Sequence, residues 1–132
     1  MQYEIKDMTN AYLPAAAELW AEGWRDGHLG LVPQELVSLR TVESFHDRLQ
    51  ARVADTRIAV SGQDFLGFST LQGDQLYQFF VDRAARGTGL AQALIADAED
   101  HLRRRGHSLG WLVCMIGNDR AARFYQKCGW EN

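Results

Sequence analysis

An apolar run ending at Val81, a loop with two arginines and two glycines through Gly89, and apolar residues at helical spacing from Leu90 constrain this chain more than any other stretch. The order is strand, glycine loop, helix. In Phe80-Val81-Asp82-Arg83-Ala84-Ala85-Arg86-Gly87-Thr88-Gly89-Leu90-Ala91, glycine frees the backbone, and the helix start aims several N–H groups and a partial positive charge at one spot. Such a junction suits an anionic, phosphate-like group. The strand it closes, Gln75 to Val81, is nearly continuous in apolar residues, as a central strand covered on both faces should be.

The rest of the chain arranges itself around that unit. Tyr3 to Met8 alternates weakly and predicts a short strand. Leu13, Ala17, Trp20 and Trp24 predict a helix from about Tyr12 to Trp24, with Pro14 tolerated in its first turn. Arg25 to Pro33 holds three breakers in nine positions and predicts a loop near a site. Val42, Phe45, Leu49 and Val53 predict helix within Gln34 to Ala54, with room for a separate turn in the first part. Thr56 to Ser61 and Phe65 to Leu71 predict strands joined by Ser61-Gly62-Gln63-Asp64, and Gly73-Asp74 turns into Gln75, giving a three-strand meander. The helix from Leu90 carries Leu94, Ala98 and Leu102 and stops at Arg103-Arg104-Arg105-Gly106, where basic residues suit the C-terminal dipole and glycine the cap. Leu109 to Ile116 predicts a strand that the crossover makes parallel to Gln75–Val81, and a last helix runs from Arg120 to Lys127, closed by Gly129. The fold class is α/β: an antiparallel meander joined to a parallel strand-helix-strand unit, with helices on both faces, in one domain over residues 1–132.

Composition narrows the function. The 132 residues are 46% hydrophobic, enough for a real core. With 14 Lys+Arg against 17 Asp+Glu, a net charge of −3, broad binding to nucleic acid or to an anionic membrane is not expected. The basic run Arg103-Arg104-Arg105 is read as a solvated helix end. Cys114 and Cys128 lack metal-ligand spacing, no metal is expected, and both are read as thiols of a reducing compartment. A thiol enzyme built on Cys128 lacks a neighbouring histidine in sequence. Neither a basic-then-apolar start nor a long apolar run appears, so the expected location is the cytoplasm.

The glycine loop lacks the G-K-[ST] ending of a nucleotide P-loop and the G-x-G-x-x-G of a dinucleotide site. Arg86-Gly87-Thr88-Gly89-Leu90-Ala91 instead resembles the R/Q-x-x-G-x-G/A segment of the GNAT superfamily of acetyl-CoA-dependent N-acetyltransferases. At the right distance, Asn118-Asp119-Arg120-Ala121-Ala122-Arg123-Phe124-Tyr125-Gln126-Lys127-Cys128-Gly129-Trp130 is similar to the family's N-x-x-A-x-x-F-Y-x-K-x-G-F/W segment. The resemblance implies a sheet whose two central parallel strands splay apart around acetyl-CoA.

It also implies roles. The backbone of Gly87, Thr88, Gly89, Leu90 and Ala91 would cradle the CoA pyrophosphate, with charge from Arg86 and also Arg83. Phe80 and Val81 would offer backbone groups to pantetheine and the acetyl carbonyl. Asn118 is either the cap of the last helix or a pantetheine contact, or both. Phe124 is read as core. Tyr125 is the expected general acid, a phenol near the thioester sulfur that protonates the departing thiolate.

The sequence departs from the family at the base. The strand before the loop carries Gln75 and Gln78 where many relatives place glutamate, and neither glutamine can accept a proton. His28 is the best replacement by chemistry, with Glu22 and Asp26 behind it. Trp24, His28 and Gln78 are the expected acceptor contacts, and the net acidity points to a cationic acceptor such as a polyamine, an aminoglycoside or a lysine side chain. Family members continue after the G-F/W with two more strands, so the domain is expected to be incomplete at its C-terminus; a longer chain, a homodimer covering the open edge, or a degenerate protein would account for it, the first being preferred. The expected activity is acetyl transfer from acetyl-CoA to a primary amine of a small molecule or peptide. The alternative is a non-catalytic acyl-CoA-binding or interaction module.

Overall fold

In the computed structural model, which describes residues 2–28, 33, 41–113 and 119–131, hairpin turns build the sheet. Strands β1 (Glu4–Asp7), β2 (Thr56–Ser61), β3 (Asp64–Gln72) and β4 (Gln75–Val81) lie in the order β1-β2-β3-β4, all antiparallel. Gly62 and Gly73 take φ of +60° and +59° in the two tight turns, a backbone state that favours glycine. The meander therefore forms as its sequence predicts, and β1 adds to its outer edge, with Ile5 opposite Ala59.

Helices cover both faces. On one, α1 (Leu13–His28) and α2 (Val42–Gln50) pack Leu13, Ala16, Ala17, Trp20, Trp24, Phe45 and Leu49 against Ile58, Val60 and Phe68. The α1 stripe repeats at three and four residues, which fixes the face it buries. Thr41 caps α2 by accepting from the Ser44 N–H at 3.1 Å. On the other face α3 (Leu90–Arg104) lays Leu90 and Leu94 on Ala59 and Leu66, and Ile95, Ala98 and Leu102 on Leu71 and Leu76. The last helix, α4 (Asp119–Lys127), packs Phe124 and Tyr125 against the same layer. Both α3 and α4 stop in the same way. Glycines 106 and 129 have φ of +87° and +95°, and the residues after them donate back to Leu102 and Tyr125 carbonyls at 3.0 and 2.9 Å.

Three boundaries differ from the sequence reading. Arg25 to His28 is not loop but the last turn of α1, because one glycine at position 27 costs a helix only about 1 kcal/mol and no proline intervenes before Pro33. The second helix stops at Gln50 rather than near Ala54, with Val53–Asp55 forming a separate 3-10 turn. The expected strand Leu109 to Ile116 is represented by a single parallel bridge, Trp111 to Gln75, and residues 114–116 lie outside the described residues.

One irregularity in β4 matters for everything that follows. Thr70 pairs with Gln78 and Leu71 with Leu76, so Tyr77 is an extra residue, a β-bulge. The bulge shifts the alternation of faces, and Tyr77 and Phe80, three apart, both pack on the α1–α2 side, while Leu76 and Phe79 pack on the other.

Candidate active site

Strand β4 has two edges. One is laddered to β3 as far as Val81, interrupted by the bulge at Tyr77, and beyond it the Asp82 N–H donates to the Leu66 carbonyl at 2.7 Å. The other meets Trp111 only at its start: the Leu76 N–H donates to the Trp111 carbonyl at 2.8 Å and the Trp111 N–H to the Asp74 carbonyl at 3.2 Å. Leu112 and Val113 make no bridge, so among the described residues the parallel pairing stops there and the two segments part. The gap opens into a cleft of about 1250 Å³.

The end of β4 and the loop after it form one wall, with Phe80, Val81, Arg83, Arg86, Gly87 and Gly89 facing the cleft. Asp82 caps the turn at Arg83–Ala85 by accepting from the Ala84 N–H at 3.0 Å. Gly87 and Gly89 have φ of +77° and +85°, with open space where a Cβ would lie, so conformation rather than room demands glycine. The Thr88 N–H donates to the Ala85 carbonyl at 3.3 Å, the Thr88 hydroxyl donates to the same carbonyl, and the Leu90 N–H donates to the hydroxyl at 3.3 Å. Thr88 and Leu90 are thus spent inside the loop. The N–H groups of Gly87, Gly89, Ala91 and Gln92 have no backbone acceptor among the described residues, and all four residues line the cleft.

Helix α4 supplies the opposite wall with Arg120, Phe124 and Tyr125. The Tyr125 ring is set by packing, edge-on to Phe79 at 6.0 Å and to Phe124 at 5.5 Å, with Trp130 at 6.3 Å. Phe124 is therefore both packing and cleft wall, stacked on Phe79 at 5.7 Å. The far end belongs to the other face of the sheet: Glu22, Gly23, Trp24 and Arg48 from the helices, with Tyr77 and Gln78 from β4. Here α1 comes so near that a Cβ on Gly23 would stand 2.4 Å from the Phe80 ring.

Of the residues singled out in sequence, Phe80, Val81, Arg86, Gly87, Gly89, Ala91, Tyr125, Trp24 and Gln78 share this cleft. His28 closes α1, and its side chain lies outside the described part, as does Asn118. Glu22, ranked behind His28, lines the cleft. Sequence reasoning missed Arg48, Tyr77, Gln92 and Arg120. Arg120 sits inside the Asn118–Trp130 segment and could have been found by its place at a helix start, whereas nothing in sequence reports the bulge that turns Tyr77 toward Arg48. Burial pushes the Cys128 thiol up, which leaves it protonated near neutral pH and unsuited to nucleophilic work. No three His, Cys, Asp or Glu side chains among the described residues cluster as metal ligands would, and none of the described helices is long and apolar enough to cross a membrane.

The acetyltransferase (GNAT) family model matches residues 40–130. Among solved structures, the PaiA N-acetyltransferase of Thermoplasma acidophilum, in complex with coenzyme A, superposes with a TM-score of 0.83 at 18% identity, covering 99% of this chain and 91% of that one. A GCN5-related N-acetyltransferase from Ralstonia eutropha gives 0.76 at 21% identity, over 99% and 94% of the two chains. YjaB from Escherichia coli gives 0.73 at 21% identity, over 99% and 84%. At these identities the likeness is one of fold. A search of curated proteins returns no match.

Proposed function

This chain belongs to the acetyltransferase (GNAT) family, and we propose that it moves an acetyl group from acetyl-CoA to a primary amine of a small molecule or a peptide. One observation carries the reading. A chain of net charge −3 places Arg48, Arg83, Arg86 and Arg120 in the wall of one cleft, beside four backbone N–H groups around the start of α3 that have no backbone acceptor among the described residues. That is a receptor for a polyanion with an apolar arm, which is the chemistry of a CoA thioester. We assign the pyrophosphate to Gly87, Gly89, Ala91 and Gln92 with Arg83 and Arg86. The pantetheine and acetyl carbonyl then lie along the open edge of β4 at Val81, beside the Phe80 ring.

In this reading the amine nitrogen attacks the thioester carbonyl, the tetrahedral intermediate collapses, and the sulfur leaves as its C–S bond breaks. Tyr125 donates its phenolic proton to that sulfur, and the proton lost by the ammonium passes to a base on the acceptor side. Glu22, in the cleft wall, is our first assignment for the base, directly or through water. His28, about 9 Å further along the same helix by the rise of six residues, is the second. We infer a cytoplasmic location, where the half-buried thiol of Cys128 would stay reduced.

Release of free CoA from acetyl-CoA across an amine panel tests the activity. Tyr125→Phe is expected to lower kcat on the order of 10²-fold while acetyl-CoA still binds. Binding of acetyl-CoA with no release for any amine would instead support a non-catalytic module. For the base, Glu22→Gln is expected to lower kcat on the order of 10²-fold and His28→Ala to leave it unchanged. The reverse pattern transfers the role to His28.

A further inference from the structure

Arg48 differs from the arginines of this molecule that are tied up in ion pairs. Arg52, Arg57, Arg104 and Arg105 each pair with a carboxylate, Asp55, Asp7 and Asp97, Asp100, and Asp55 respectively, at 2.8 to 3.7 Å. Among the described residues no carboxylate pairs with Arg48, although it is only half exposed and Glu22 lines the same cleft. Its guanidinium lies 4.5 Å from the centre of the Trp20 ring and 5.7 Å from that of Tyr77, and it donates one hydrogen bond to the Tyr77 hydroxyl. Trp20 is 1% exposed and locked between Phe45 and Phe68, so the floor under the guanidinium is rigid. The Tyr77 hydroxyl reaches it because the β4 bulge puts that residue on the helix side.

A guanidinium keeps its charge at any accessible pH and offers five N–H donors in a planar fork. Among the described residues one donor is used, on the Tyr77 hydroxyl. Cation–π contact with the rings holds the group in place without consuming its N–H donors, which is the preorganisation that two-point recognition of a carboxylate needs. The same wall holds one carboxylate among the described residues, Glu22, and the Trp20 indole N–H is buried without a partner among them. A purely cationic acceptor entering this end would meet a fixed positive charge.

Resting on the acetyl-transfer reading of the cleft, we propose that Arg48 receives a carboxylate of the acceptor, so that the substrate is an amine that also carries a carboxylate, of the amino-acid type. The acceptor's carboxylate docks on the Arg48 fork, its apolar body lies against Trp24 and Phe80, and its amine faces the thioester near Gln78, with Glu22 as the only carboxylate among the described residues of the wall. This replaces the expectation of a cationic acceptor drawn from net charge, because the local field of the cleft, not the sum over the surface, acts on a bound amine.

Matched pairs decide it: glycine against glycinamide, β-alanine against β-alaninamide, phenylalanine against phenylalaninamide, and phosphoethanolamine against ethanolamine. Binding to the CoA-loaded protein is read from the arginine side-chain N–H resonances, and CoA release is measured in parallel with acetyl-CoA. The expected result is that at least one carboxylate member binds about tenfold or more tightly than its amide. Arg48→Met is expected to erase that preference, and Arg48→Lys to keep only part of it. No binding by any carboxylate probe, equal binding within every pair, a preference untouched by Arg48→Met, or a preference confined to the phosphate pair would each overturn the proposal. The two readings separate cleanly: carboxylate preference without CoA release leaves Arg48 standing and removes acetyl transfer, while equal CoA release from both members of each pair does the opposite.

Discussion

Gly23 and Phe80 mark the closest approach of α1 to the strand that carries the cleft, and a Cβ at position 23 would lie 2.4 Å from one ring carbon and 2.9 Å from the next. Gly23→Ala must therefore displace a ring that packs on Trp20 and Phe68 at 6.2 and 5.7 Å. Overpacking of this kind costs about 1–3 kcal/mol. The expected outcome is a lower urea midpoint at unchanged m-value, together with a higher KM for acetyl-CoA. Retention of both values would show that the ring moves freely. At this scale the sequence was legible where a motif fixes both identity and context: Gly87, Gly89 and Tyr125 all line the cleft. Arg48 was illegible for a physical reason. Helical spacing places it three residues after buried Phe45, but only the aromatic floor and the bulged Tyr77 make that position a receptor rather than a solvated charge.

At the level of elements, the geometry of the site rests on β3 as much as on β4. Gly67 lies opposite Val81, and a Cβ there would come within 2.7 Å of the Phe80 carbonyl oxygen and 3.3 Å of Val81 Cα. These are backbone atoms of a laddered strand, which cannot yield as a side-chain tip does. Gly67→Ala is expected to push the end of β4 outward, weakening acetyl-CoA binding more than the distant position of residue 67 would imply. Gly89→Ala separates a second effect. With φ of +85° and no atom within 4 Å of its Cβ position, alanine there suffers the left-handed penalty alone, about 1–2 kcal/mol. Both are measurable by denaturation beside equilibrium CoA titration, and equal losses of affinity and stability in the two variants would deny Gly67 its special place. Hairpin turns and amphipathic stripes made the meander, α3 and α4 readable in advance. The end of α1 was not, because breakers such as Gly27 set only a modest local cost that neighbouring helix turns override.

For the whole molecule, the layer order could be anticipated from alternating strands and helices, while the tie between the first strand and the sheet's far helix could not, since it depends on charges 50 and 40 residues apart. Arg57 on β2 bridges Asp7 on β1 at 2.8 Å and Asp97 on α3 at 3.0 Å. One turn from Asp97, His101 is 7% exposed, and its Nδ1 has no partner among the described residues. Burial, then the positive charges of Arg105 and Arg104, hold its pKa below the ordinary 6.5, with Asp97 opposing and Arg57 adding to the shift. The sign follows from linkage. Once the pH falls below about 6.5 the unfolded chain takes up a proton that the folded chain refuses, so stability declines with falling pH until the folded imidazole is itself protonated. Asp7 acts lower: the Arg57 hydrogen bond depresses its pKa below the ordinary 3.8, so its contribution is present above that value and is lost as pH falls through the depressed one. Acid unfolding is therefore expected in two stages, a histidine stage below pH 6.5 and a carboxylate stage below about 4. His101→Leu removes the proton acceptor while keeping an apolar body in the core, so its urea midpoint should stay flat through the first stage and fall only in the second. A His101→Leu protein that still loses stability as steeply as the wild type between pH 6.5 and 5 would assign that stage to another group.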